Sequence, residues 1–227
     1  MKKLKHIAII LDGNRRFSKK LGLKWWQGHE KGAEKVEQLF DWCKELGIKE
    51  VTLYSFSIEN FERTEEEKGF LMKLFIKMFN KVMKDKRIHE NKIKIKFIGR
   101  RGLFPLEIQK TMNEVEENTK DYDGFRVNFA MGYGGRAEIV DAVKKIVSKG
   151  VKASDIDEEL LSKNMYLDSE PELLIRPGGE FRISNFLVWQ SSYMELWFTD
   201  KLWPEFEKED LVEAINDFNA RERRFGV

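Results

Sequence analysis

Six short runs rich in β-branched and aromatic residues recur along the chain, and their alternation with helically spaced stretches constrains the fold most. The runs are HIAIIL (6–11), EVTLYSFS (50–57), IKIKFIG (93–99), RVNFAMGYG (126–134), ELLIR (172–176) and MELWFT (194–199). Each reads as a buried strand. Between them, Val36, Leu39, Phe40 and Cys43 fall on one helical face, with Gly47 placed to end the helix. Ile139, Val140, Val143, Ile146 and Val147 repeat that spacing before Gly150. The pattern predicts one α/β domain over residues 1–227: a mainly parallel six-stranded sheet flanked by helices on both faces.

Composition narrows the function classes. A chain of 227 residues encloses a sizeable core. With 41 Lys+Arg against 39 Asp+Glu the net charge is +2, so no global field draws the protein to nucleic acid, and no such partner is expected. The single cysteine, Cys43, excludes an internal disulfide framework and fits a reducing compartment. No window reaches the roughly 20 apolar residues of a bilayer span. The expectation is a soluble, cytoplasmic protein with no more than peripheral membrane contact.

One predicted helix departs from ordinary amphipathicity. Between residues 70 and 83, Phe70, Leu71, Met72, Leu74, Phe75, Ile76, Met78, Phe79, Val82 and Met83 are too many for a single stripe about 100° wide. A second apolar partner is required, either another subunit or an apolar tunnel.

In parallel sheets, ligands gather outside the carboxyl ends of the strands. Asp12, Gly13, Asn14, Arg15 and Arg16 follow the first run, and Ser57, Glu59, Asn60 and Arg63 the second. GYGGR (132–136) follows the fourth and RPGGEFRISN (176–185) the fifth. Arg15, Arg16, Arg63, Arg176 and Arg182 would share this rim, and guanidinium forks match phosphate oxygens. A substrate with more than one phosphate group follows. Asp12, among these cations, suits Mg²⁺ bridging phosphate oxygens, or else caps the next helix. Glu59 and Arg63, four apart, could form a plain surface pair, and His29 taken alone reads as structural. P-loop, HExxH, CxxC and GxSxG patterns are absent.

At these residues the chain resembles the cis-prenyltransferases, the undecaprenyl diphosphate synthase family. The likeness runs from Ile7 to the C-terminus through DGNRR (12–16), GH (28–29), YSFSIENFER (54–63), GYGGR (132–136), RPGGEFRISNFL (176–187), ELWFTDKLWPEF (195–206) and RERRFG (221–226). The resemblance implies a homodimeric, Mg²⁺-dependent transferase that condenses an allylic diphosphate with isopentenyl diphosphate. It makes new Z double bonds and releases pyrophosphate; peripheral membrane contact would serve release of the polyprenyl product.

By position, Asp12 and Asn60 would be catalytic, with Asn60 assisting proton removal, and Asp12 and Glu195 would hold Mg²⁺. Gly13, Asn14, Arg15, Arg16 and Phe17 would grip the allylic donor. His29, Ser57, Ile58, Glu59, Phe61 and Arg63 match the substrate-binding set. Arg176, Arg182, Ile183 and Ser184 would hold isopentenyl diphosphate, and Arg224 and Gly226 match an element that reaches the partner subunit. The 70–83 helix, Ser55 and Met131 would line the tunnel.

Four positions depart from the family pattern. Trp25 stands where an arginine usually grips the donor, while Pro177 replaces a threonine or serine and Phe181 a histidine. Arg15, where glycine is more usual, compensates for Trp25. These departures keep an alternative open: an unusual donor or acceptor, giving a short-chain, non-head-to-tail or O-prenylated product. The further alternative is an inactive regulatory subunit, which would typically lack Asp12. Small Ser55 permits a long product while Met131, bulkier than is usual there, suggests a shorter one; the balance is a medium to long polyprenyl product.

Overall fold

The computed structural model describes residues 4–221. Six strands, β1 (His6–Ile10), β2 (Glu50–Ser57), β3 (Ile93–Ile98), β4 (Phe125–Tyr133), β5 (Leu173–Pro177) and β6 (Glu195–Thr199), form one sheet in the order β3-β4-β2-β1-β5-β6. Every neighbouring pair is parallel. Each expected strand is present to within a residue or two. The helices are α1 (Asn14–Lys20), α2 (Trp25–Leu46), α3 (Glu65–Lys84), α4 (Lys86–Glu90), α5 (Leu106–Thr119), α6 (Gly135–Ser148), α7 (Glu158–Asn164) and α8 (Lys208–Ala220).

Successive side chains of a strand point to opposite faces. Ile7 and Ile9 of β1 therefore join one core with Leu39, Phe40 and Cys43 of α2, Leu71 and Phe79 of α3 and Ile108 of α5. Ala8 and Ile10 join the other with Leu174, Leu167, Phe186 and Leu187. The helix expected to end at Gly47 is α2, and Gly47 takes the left-handed conformation, φ 75°, which glycine adopts without a Cβ clash.

Helix α6 corrects one expectation. It buries Glu138, Ala142 and Ile146, while Val140, Val143 and Val147 are exposed. The inward face is set by the carboxylate of Glu138, which accepts the Tyr166 and Leu167 N–H groups at 2.9 and 3.1 Å and bonds to Tyr133 Oη.

Helix α3 has the two apolar partners its composition demands. Leu71 and Phe79 enter the sheet core, and together with Leu74, Phe75, Met78 and Val82 they also face a cavity. Among the described residues, no helix is long and apolar enough to cross a membrane.

Candidate active site

Two adjoining cavities open at the carboxyl ends of β1, β2 and β5. The first, about 600 Å³, runs from Asp12, Ser57, Asn60, Arg176 and Ser184 into an apolar interior lined by Phe40, Leu74, Phe75, Met78, Val82 and Phe129. The second, about 620 Å³, is lined by Arg15, Arg16, Lys19, Trp25 and Gly13. Leu11, Asp12, Asn14, His29 and Arg63 line both. One polar junction therefore serves a cationic bay and an apolar tunnel.

The junction depends on close helix packing. A Cβ on Gly28 would stand 1.9 Å from the Asn14 carbonyl oxygen, and one on Gly32 would stand 2.2 Å from Asn14 Oδ1. Only hydrogen fits there, so α2 lies against α1 and delivers His29 to the junction. Burial, reinforced by Arg63 and Arg15, lowers the His29 pKa to about 4. The ring is neutral near pH 7, and its Nε2 is buried with no hydrogen-bond partner.

Asp12 is not a helix cap. That position belongs to Gly13, and no side chain caps α1. Asp12 instead accepts from Arg176 Nη2 at 2.9 Å and pairs with Arg16 at 3.0 Å. Arg176, 4 % exposed, also donates from Nη1 to Ser184 Oγ at 2.8 Å and to the Arg182 carbonyl. Ser184 and Asn185 hold left-handed φ values of 48° and 61°, a strained turn stabilised by these contacts. Arg16 reaches the Gly178 carbonyl at 2.5 Å, tying α1 to the turn after β5.

On the other wall, Ser57 and Asn60 cap each other. Asn60 N–H donates to Ser57 Oγ at 3.2 Å, and Ser57 N–H donates to Asn60 Oδ1 at 3.1 Å. Glu59 and Arg63 do not pair. Glu59 accepts from Asn185 Nδ2 at 3.0 Å, and Arg63 donates to Glu67 at 2.7 Å. Partial burial pushes the Glu59 carboxyl up, but hydrogen bonds from its own backbone, Asn185 and Ser57 outweigh it and hold the pKa low. Trp25 packs edge-on against Phe70, ring centroids 5.3 Å apart, and lies 6.1 Å from His29.

Several expected residues lie elsewhere. Phe61 supports the tunnel from behind, on Phe56 and Phe104. Phe17 and Ile58 are half-buried beside the junction. Ile183 packs against the second core, while Arg182 is exposed and pairs with Glu180. Phe181, exposed, leans on Phe198. Ser55 lines the tunnel, but Met131 is fully buried in the core and does not. Glu195 begins β6, opposite Leu173, on the edge strand two places from β1 and at the amino ends of the parallel strands, whereas Asp12 follows the carboxyl end of β1; Glu195 pairs with Arg221 at 2.7 Å. One chain therefore does not bring Glu195 to Asp12. Arg224 and Gly226 lie outside the described residues.

Three participants escaped the sequence reading. Glu67 carries the i,i+4 signal to Arg63, but Glu59 offered the same spacing on the other side. Asn185 joins Glu59 to the Arg136 N–H. Tyr54 donates to the carbonyls of Tyr133 and Ser184 at 3.4 and 3.3 Å; burial raises its pKa.

Comparison with known proteins agrees with this geometry. Residues 10–226 match the family model described as putative undecaprenyl diphosphate synthase. A tritrans,polycis-undecaprenyl-diphosphate synthase (geranylgeranyl-diphosphate specific) of Methanocaldococcus jannaschii is 48% identical over 98% of this chain and 82% of its own length. The same-named protein of Pyrococcus abyssi is 47% identical over 98% and 86%. Lavandulyl diphosphate synthase from Lavandula x intermedia, solved with dimethylallyl diphosphate, superposes with a TM-score of 0.95 at 32% identity, covering 99% of both chains. A probable undecaprenyl diphosphate synthase from Campylobacter jejuni gives 0.85 at 32%, covering 100% of both. The family model and the curated relatives favour neither the irregular nor the inactive alternative. Matched over nearly its whole length, this chain belongs to the undecaprenyl diphosphate synthase family of Z-type prenyltransferases.

Proposed function

We propose that this prenyltransferase, which condenses an allylic diphosphate with isopentenyl diphosphate, takes a C20 allylic donor and makes a medium to long Z-polyprenyl diphosphate. The observation that carries the reading is the shared junction: Asp12, Asn14, His29 and Arg63 line both the cationic bay and the apolar tunnel. An amphiphile with a diphosphate head and a hydrocarbon tail matches that pairing, each buried methylene contributing about 0.8 kcal/mol. The C20 donor is supported by the geranylgeranyl specificity in the names of the archaeal relatives.

The donor diphosphate lies against Arg15, Arg16 and Arg63, and the acceptor diphosphate against Arg176 and Ser184. Guanidiniums at fixed positions stabilise charge that accumulates on the departing pyrophosphate. The allylic C–O bond breaks, the isopentenyl double bond forms the new C–C bond, and one proton leaves. Asn60 Oδ1 is occupied by the Ser57 N–H, so the Asn60 amide N–H is left to donate to a phosphate oxygen. A diphosphate oxygen takes the proton.

Among the described residues, no three His, Cys, Asp or Glu side chains converge on a metal position. Asp12 at the junction suits an ion that takes one protein carboxylate and completes its shell from substrate phosphates and water, as Mg²⁺ does. When bound, Mg²⁺ supplies further neutralisation of the leaving diphosphate. A homodimer is supported by the exposed Val140, Val143 and Val147 of α6. We place the enzyme in the cytoplasm, where its lone buried thiol, Cys43, stays reduced, with peripheral membrane contact for product release.

Incubation with Mg²⁺, labelled isopentenyl diphosphate and C5 to C20 allylic diphosphates tests the reading. The C20 donor should give the highest kcat/KM; a preference for C5, or no chain growth with any donor, would sink it.

A further inference from the structure

Glu67 is a buried carboxylate set against the arginines of an anion-binding bay. It is 7 % exposed, and its two oxygens face three groups of the bay. Oε1 lies 2.7 Å from Arg63 Nη1 and 3.8 Å from His29 Nε2, and Oε2 lies 3.5 Å from Arg15 Nη1. Because His29 is neutral, Glu67 offsets the two guanidiniums alone. Glu67 sits in the first turn of α3, whose N-terminus favours an anion; Thr64 caps that turn by accepting the Glu67 backbone N–H at 3.3 Å.

Glu67 does not line either cavity, so it stands behind Arg63 and Arg15 rather than in the ligand's seat. Its negative charge acts on whatever those guanidiniums hold. Repeated elongation requires pyrophosphate to leave the donor bay after each condensation; Arg16 already pairs with Asp12, and Arg15 and Arg63, if unopposed, would retain it. We propose that Glu67 is the counter-charge of the donor bay, a positioning residue that holds Arg63 and Arg15 and weakens their grip on diphosphate enough for pyrophosphate to depart. This rests on the assignment of Arg15, Arg16 and Arg63 to the donor.

E67Q tests it by removing the charge while leaving an amide oxygen for Arg63. The probe is a C20 allylic thiolodiphosphate, whose bridging sulfur makes it unreactive and whose tail directs it to the donor bay. Removing one charge several ångströms from a multiply charged ligand predicts binding on the order of tenfold tighter. Competitive inhibition by inorganic pyrophosphate should strengthen in proportion, kcat should fall as release slows, and KM for isopentenyl diphosphate should stay nearly unchanged. E67A, which also loses the support of Arg63, should tighten binding less. A merely structural role cannot produce tighter binding. Equal or weaker binding in both variants, or failure of both to fold, would overturn the counter-charge. If the parent enzyme did not bind the thiolodiphosphate in competition with the donor, the donor-bay assignment itself would fall.

Discussion

Asp12 and Arg176 are 164 residues apart in sequence, yet Arg176 Nη2 donates to Asp12 Oδ2 across 2.9 Å. Their strands, β1 and β5, are sheet neighbours with Ile9 opposite Ile175, so a loop that faces the donor and one that faces the acceptor share one ion pair. Removing one partner of such a pair strands the other, at a cost of about 3–5 kcal/mol when the charge is buried. D12N keeps the shape and one acceptor oxygen. It should therefore lose turnover by at least about a thousandfold while its Tm drops less than that of D12A. Parent-like steady-state rates for D12N would remove Asp12 from the mechanism.

Arg176→Ala removes the donors that reach Ser184 and the acceptor loop. We expect KM for isopentenyl diphosphate to rise by tenfold or more, about 1.4 kcal/mol of lost binding, with a smaller change for the allylic donor. Equal shifts in both constants would mean that Arg176 organises the whole rim and not the acceptor seat.

Trp25 occupies the bay wall where another guanidinium would reach a diphosphate. Trp25→Arg is expected to tighten binding of an unreactive allylic diphosphate severalfold, since charge-assisted contacts are the strong ones. Loss of the edge-on contact with Phe70 should lower Tm. Calorimetry showing weaker binding would mean that the bay prefers an aromatic neighbour.

Phe40 and Val82 line both the tunnel and a further cavity of about 210 Å³ behind it. Phe40→Ala should join the two spaces and shift the product distribution to longer chains, read by chromatography of the dephosphorylated polyprenols. The truncation should also cost about 3–5 kcal/mol of stability. An unchanged distribution would show that the partition lies elsewhere.

Burial lowers the pKa of both His6 and His29 to about 4, against an ordinary value near 6.5. The unfolded chain therefore binds protons between pH 6.5 and 4 that the native protein refuses. Stability should be fully present above about pH 6.5 and fall as pH drops towards 4, by no more than about 3.5 kcal/mol per histidine. His6→Gln should flatten that slope in a Tm–pH series, because Gln can replace the 2.8 Å bond to Thr52 without titrating. An unchanged slope would assign the effect to other groups.

Local periodicity wrote the elements directly into the sequence. Ile7 and Ile9 alternate with Ala8 and Ile10, the 36–43 spacing marks one face of α2, and Gly47 stops it. Side-chain direction and backbone sterics act over only a few residues, so such features are readable without the fold. The polar residues at strand ends, Asp12, Asn60 and Arg176, were legible for the same reason, since parallel strands place such residues on one rim. Tertiary packing decided the rest. It alone makes β6 an edge strand two places from β1, leaving Glu195 away from Asp12, and buries Met131 in the core. It turns Glu138 inward and three valines of α6 outward, and it gives Arg63 to Glu67 instead of Glu59. Each outcome depends on which distant element covers a side chain. Burial determines whether a charge meets water or a partner, and spacing along one chain cannot encode that choice.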